Sequence, residues 1–386
     1  CFISFFEHLS ADPSYRPTFK SRWYFSLLGA ILSFYIMFKM DASSLIEGEP
    51  PYALISISTM ILIYYYIGIK SQENSGIVKL FKGVIFQLSR HLQIYLQKKD
   101  LYQKDSHWRP FVISVSENSF DSTDSFDLVR WISHKYGFGT YMHYINGYLS
   151  KSTYKQSKDI QEKLLILSKN NKSRVYIDTI ISPSYTSALA QVIQLSGISG
   201  KGNNLILFEY NATKLNELGN VIENFQLLKA TEFDVCILRK SFRGFGKKRN
   251  IHIWISPQDY ENSNLMILLG YILLGHPDWK KAEIKIYSVI KDGEADNSSE
   301  DLIKLVNEGR LPISPHNIIM IQNKDNKKVR SIINSHSKYA DLTIVGFRGE
   351  LLKKQKETLF NGYEKLGNVM FVNSQSKKQI IYSQDE

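Results

Sequence analysis

Two uncharged apolar runs constrain this chain more than any other feature. Residues 23–38 read WYFSLLGAILSFYIMF and residues 50–69 read PPYALISISTMILIYYYIGI, with no Asp, Glu, Lys or Arg in either. A helix rises about 1.5 Å per residue, so roughly 20 residues cross the hydrocarbon layer of a bilayer. The second run meets that length, and the first meets it once Lys39 snorkels and Met40 is counted. Both are expected to span a membrane as helices; the competing reading is a pair of buried core helices in a soluble protein.

The flanks set an orientation. Arg16, Lys20 and Arg22 precede the first run, Asp41, Glu47 and Glu49 lie between the two, and Lys70, Lys79 and Lys82 follow the second. Positive residues collect on cytoplasmic loops, so both outer flanks are expected inside, the short loop around Glu47 outside, and everything after Lys70 in the cytoplasm. Trp23, Tyr24, Tyr52 and the cluster Tyr64, Tyr65, Tyr66 stand near the run ends, where aromatic rings favour the interface. The chain opens on Cys1 within an apolar stretch, and it is expected to be a fragment cut through a hydrophobic segment.

The bulk charge of +11 is compatible with nucleic acid, but the lysines are scattered between apolar runs. Solvated faces and a membrane flank explain them better, and no nucleic acid partner is expected. Cys1 and Cys236 stand outside any CxxC or Cys/His spacing, which fits a reducing compartment.

After the second run, residues 76–97 place Ile77, Leu80, Phe81, Val84, Leu88, Leu92 and Tyr95 on one helical stripe, with Lys79, Lys82, Gln87, Arg90 and Gln93 opposite. The stripe could pack on its own domain, lie on the bilayer surface or pair with a second protomer; in each case the helix couples the membrane segment to the rest of the chain.

From Trp108 the pattern changes to short apolar runs alternating with helical stretches. Strands are expected at residues 111–115, 140–145, 174–181, 204–210 and 233–238, and helices at 124–136, 156–169, 184–196 and 215–229. Residues 241–250, SFRGFGKKRN, have glycine, charge and no apolar period, and read as a linker. The pattern then restarts, with strands at 250–255, 283–290, 317–321, 340–345 and 368–372, and helices at 264–274, 301–307, 325–335 and 351–365. The expected architecture is two transmembrane helices followed by an α/β cytoplasmic domain of two similar halves with mainly parallel sheets. The expected segments are 1–20 for a preceding span and loop, 21–70 for the two spans, 71–104 for the connecting helix, 105–240 and 251–386 for the halves, and 241–250 between them.

Little in the sequence carries chemistry. Gly197, Gly200 and Gly202 follow an expected helix and precede a strand, the reverse of the order that aims helix N–H groups at phosphate, and read as a helix-ending turn. The nine histidines show no metal-ligating spacing, Asp121, Asp124 and Asp127 fit helix capping, and no serine sits in a GxSxG turn. No catalytic residue, metal site or cofactor is expected.

Residues 10–20, SADPSYRPTFK, followed by Trp23 and residues 26–31, SLLGAI, resemble the segment before and within the eleventh span of the cation-chloride cotransporters. Tyr15 and Ser14 stand where that family has Trp and Gly. More weakly, Trp108-Arg109-Pro110, His252-Ile253-Trp254 and the run from Trp279 to Ile286 resemble later family elements. The resemblance implies an electroneutral symporter moving chloride with sodium, potassium or both, on a permease-like bundle of twelve spans. It also implies a homodimer held through the cytoplasmic domain and the helix after the last span, with Leu80, Val84, Leu88 and Leu92 at or near the contact. The family's ion sites belong to spans upstream of this chain, so no ion ligand is carried onto it. Two other readings stay open: an amino-acid permease with a similar tail, and a membrane-tethered α/β module that senses a nucleotide at the strand ends 116–121, 256–259 and 346–349.

Overall fold

Residues 205–208, Leu-Ile-Leu-Phe, show how the domain is built: all four are at most 3% exposed, yet Leu205 and Leu207 belong to one apolar cluster and Ile206 and Phe208 to another. Side chains alternate across a strand, so a run apolar at every position must be covered on both faces. The computed structural model describes residues 22–46, 76–102, 108–195 except 172, 202–256, 260–290, 314–323 and 328–376, with isolated positions at 5, 6, 9, 52, 54–59, 62, 63, 197 and 378. They fall into two units, residues 1–103 and 104–386.

The first unit contains helix α1 (Trp23–Ile46) and helix α2 (Gly76–Tyr102). α1 begins where expected and runs eight residues past Phe38. Among the described residues, no helix is long and apolar enough to cross a membrane; most of the second apolar run lies outside them.

The second unit is a single sheet of ten strands. Its first half runs β1 (Phe111–Ser116), α3 (Asp124–Ser133), β2 (Phe138–Asn146), α4 (Lys151–Asn170), β3 (Tyr176–Ser182), α5 (Tyr185–Gln194), β4 (Leu205–Asn211), α6 (Gly219–Ala230) and β5 (Asp234–Lys240). The second half runs β6 (Asn250–Ile255), α7 (Tyr260–Leu274), β7 (Glu283–Ile290), β8 (Ile318–Gln322), α8 (Val329–His336), β9 (Leu342–Gly346), α9 (Gly349–Gln355) and β10 (Asn368–Asn373). The strand order β3-β2-β1-β4-β5-β10-β9-β6-β7-β8 repeats one doubly wound pattern in both halves, the second reversed. All neighbours are parallel except β5 and β10, which pair antiparallel from Val235–Asn373 to Arg239–Val369. That pairing corrects the expectation of separate sheets: the two halves share one.

One face of the sheet is covered by α3, α4 and α7, the other by α5, α6, α8 and α9. Residues 241–249, within the stretch 241–250 read as a linker, are packed. Phe245 is 5% exposed and sits edge-on to Trp131 at 4.7 Å and to Trp279 at 6.1 Å between ring centres. Asp341 accepts the N–H groups of Lys247, Arg249 and Asn250 at 2.9, 2.7 and 3.0 Å. Gly246 has φ +50°, and a side chain there would run into that carboxylate. The helix expected at 301–307 lies outside the described residues.

Candidate functional site

In a doubly wound sheet the strand order reverses at a switch point, and the two crossovers leaving it diverge to open a crevice beyond the strand C-termini. Here β1 and β4 form one switch point and β6 and β9 the other. The second is filled: Asn262 and Asn373 both donate to the Phe347 carbonyl, at 3.0 and 2.9 Å, and the Asn262 carbonyl accepts the Ser374 N–H at 2.7 Å. Gly349 belongs to close packing rather than to a phosphate cradle, because a Cβ there would run into the Phe225 ring.

The first switch point holds a cavity of about 250 Å³ lined by Ser116, Glu117, Tyr185, Glu209, Glu217 and Lys240 among others. β1 delivers Ser116, β4 delivers Glu209 and β5 delivers Lys240. Ser116 Oγ donates to Glu209 Oε1 at 2.6 Å, and Lys240 Nζ pairs with Glu209 Oε2 at 3.0 Å with both side chains no more than 10% exposed. Glu217, in the turn before α6, accepts the Asn211 N–H at 2.7 Å and lies 4.0 Å from Lys214 Nζ. Burial raises the Glu117 carboxyl above its ordinary range, and the charge of Glu217 pushes the same way. Tyr185 closes the floor by donating its hydroxyl to the Val115 carbonyl at 2.9 Å.

A second hollow of about 120 Å³ adjoins it, sharing Asn118, Glu217 and Lys240 and adding Asp121, Ser122 and Asp124. Burial also raises the Asp124 carboxyl, against the pull of Asn368, Ser122 and Lys240. Glu117, Glu209 and Glu217 face the larger cavity against Lys240 alone, so its field opposes phosphate rather than attracting it. Of the expected strand-end ligand positions, Ser116, Glu117, Asn118 and Asp121 line these hollows, while 257–259 lie outside the described residues. Glu209, Glu217 and Lys240 went unread in the sequence because they converge from elements far apart in the chain. Among the described residues, no three His, Cys, Asp or Glu are grouped to hold a metal ion.

The proposed coupling stripe lies on α2, in the other unit. Leu80 lies within the helix, Val84 is half-buried, and Leu88 and Leu92 are 59% and 52% exposed. Ile85, Phe86 and Tyr95 are also exposed, so the uncovered apolar surface is broader than the expected stripe.

The fold and its two switch points define a doubly wound mixed α/β domain. No family model matches the chain. Potassium/chloride cotransporter 3 of Caenorhabditis elegans is 25% identical over 322 residues, a match covering 78% of this chain and 28% of that protein. Among solved structures, the cytoplasmic domain of a prokaryotic cation chloride cotransporter aligns with 18% identity and a TM-score of 0.48, over 69% of this chain and 96% of that one. A universal stress protein from Archaeoglobus fulgidus DSM 4304 aligns with 12% identity and a TM-score of 0.45, over 70% and 98%. The chain is thus similar to cation-chloride cotransporters through most of its length. It spans about a quarter of the length of the curated relative, 28%.

Proposed function

We propose that this chain is the C-terminal part of an electroneutral symporter that moves chloride with sodium, potassium or both. In this reading α1 and the run at 50–69 cross the cell membrane, and the domain from 104 onward lies in the cytoplasm as a dimerising and regulatory element without enzymatic activity.

The observation that carries the membrane assignment is the surface of α1. Phe25, Leu28, Ile31, Leu32, Tyr35 and Ile36 are each at least half exposed and form one broad apolar face of the helix. An apolar face this broad belongs against other protein or in lipid, and among the described residues it stays largely uncovered. The symport reading rests on the likeness to a potassium/chloride cotransporter through most of the chain. Alkaline carbonate extraction of membranes carrying the intact protein tests the assignment: it stays in the pellet if α1 and the following run span the bilayer, and a protein released to the supernatant overturns it.

The nucleotide-sensing alternative is disfavoured by the three carboxylates around the open switch point. The exposed Leu88 and Leu92 on α2, with half-buried Val84 beside them, support a role for that helix against a second protomer.

A further inference from the structure

Helix α4 is apolar where it should be polar. Its inner stripe, Ser157, Ile160, Leu164 and Ser168, packs on the sheet, with Ser157 Oγ bonded to Thr179 Oγ1 at 2.6 Å. The outer face, at steps of three and four, carries Lys151, Lys155, Lys158, Glu162 and Lys169, with Ile166 among them and Tyr154 and Leu165 along its edge, all exposed. Tyr154, Leu165 and Ile166 are 56%, 50% and 55% exposed.

The turn leading into α4 extends this surface. Tyr148 and Leu149 are 78% and 74% exposed. Hydrogen bonds hold them there: Thr153 Oγ1 donates to the Tyr148 carbonyl at 2.9 Å, and Ser150 and Thr153 cap each other reciprocally at the helix start. An ordered turn that holds two large apolar side chains in water marks an interaction surface.

Charge selects the partner. α4 carries five lysines against Asp159 and Glu162. Among the described residues, Lys151, Lys155, Lys163 and Lys169 make no ion pair. Protein interfaces are depleted of lysine. Lysine interleaved with tyrosine and leucine is the composition of helices that lie on anionic bilayers. We propose that the outer face of α4 and the 147–150 turn form a docking surface for an anionic phospholipid bilayer. This rests on reading the chain as membrane-anchored.

Residues 104–386 bury their own two apolar clusters and form one unit, so this piece can be tested alone. It should sediment with vesicles of phosphatidylcholine and phosphatidylglycerol in equal parts about a hundredfold more than with phosphatidylcholine alone, and less as salt rises. Lys155→Gln with Lys158→Gln should cut anionic binding about twentyfold, at roughly fivefold per lysine. Tyr148→Ser with Leu149→Ser should cut it about tenfold, while circular dichroism and melting stay unchanged in both variants. Equal sedimentation with both vesicles, or none with either, overturns the proposal. So does a domain dimer that these substitutions dissociate while vesicle binding is unaltered. If vesicle binding fails while the intact protein resists carbonate extraction, only the docking surface falls; release by carbonate removes the membrane assignment itself.

Discussion

Lys378 reaches back from beyond the last strand to place its ammonium 2.9 Å from Asp234 at the start of β5, with the two side chains 6% and 1% exposed. The same carboxylate accepts the Gln375 N–H at 3.0 Å, the Lys378 carbonyl accepts from Asn264, and the Lys378 ammonium stands 5.8 Å from the centre of the Trp108 ring. The segment after β10 is thus fastened to β5, to α7 and to the entry of β1. Breaking one side of such a pair strands a buried charge, so Lys378→Met should destabilise residues 104–386 by about 3–5 kcal/mol in urea denaturation. Adding Asp234→Asn should recover most of that loss; no recovery would mean that Lys378 acts through packing.

Three buried histidines, His143, His252 and His276, make the fold acid-sensitive, each held by burial below its ordinary range. Burial, with the nearby Lys285, lowers His252 to about 4, where its Nδ1 lies 2.9 Å from Ser337 Oγ. Burial likewise lowers His276 to about 4, with Arg130, His134 and Lys248 adding to it against Asp278. The His276 Nδ1 accepts the Asp278 N–H at 3.1 Å and so carries no proton. Unfolded histidine titrates near 6.5, so between about 6.5 and 4 the unfolded chain binds protons that the fold refuses, and stability falls as pH is lowered. Asp234, whose carboxyl burial raises, acts in the opposite sense toward the carboxylate range, where the fold holds its proton more tightly. Denaturation midpoints from pH 7 to 5 should decline, and His252→Gln should flatten the decline.

Phe245 is the hinge pin of the 241–249 turn. Phe245→Ala should cost about 3–5 kcal/mol by opening a cavity against Trp131 and Trp279. If that stretch were only a connector, the substitution would change the melting midpoint by little.

The charge of the open switch point predicts weak nucleotide binding. Millimolar ATP should move the melting temperature of residues 104–386 by less than about 1 °C, against roughly 2–4 °C for each kcal/mol of binding in a domain of this size. A larger shift, abolished by Lys240→Gln, would favour the sensing alternative.

Most strands of the domain were legible because both faces are buried and their apolar runs are unbroken, as in residues 250–255, found at the expected bounds. Irregular elements were less so. α4 begins at Lys151, well before the expected 156, because its start is set by the reciprocal Ser150–Thr153 cap within a polar stretch without apolar period. The helix expected over 351–365 stops at Gln355, where Lys356 takes φ +47° and a short 3-10 turn follows. The 241–249 turn looked like a linker because its order comes from Phe245 and from Asp341, ninety residues away. The joining of both halves through β5 and β10, and the meeting of Ser116, Glu209 and Lys240, depend on pairings between distant segments that leave no local period.

Chloride-dependent rubidium uptake by the full-length protein, in cells or proteoliposomes, tests the symporter assignment most directly. Uptake should require chloride outside the membrane, proceed without net charge movement, and be lost when residues 104–386 are removed. Uptake indifferent to chloride, or none by a correctly inserted protein, would contradict it.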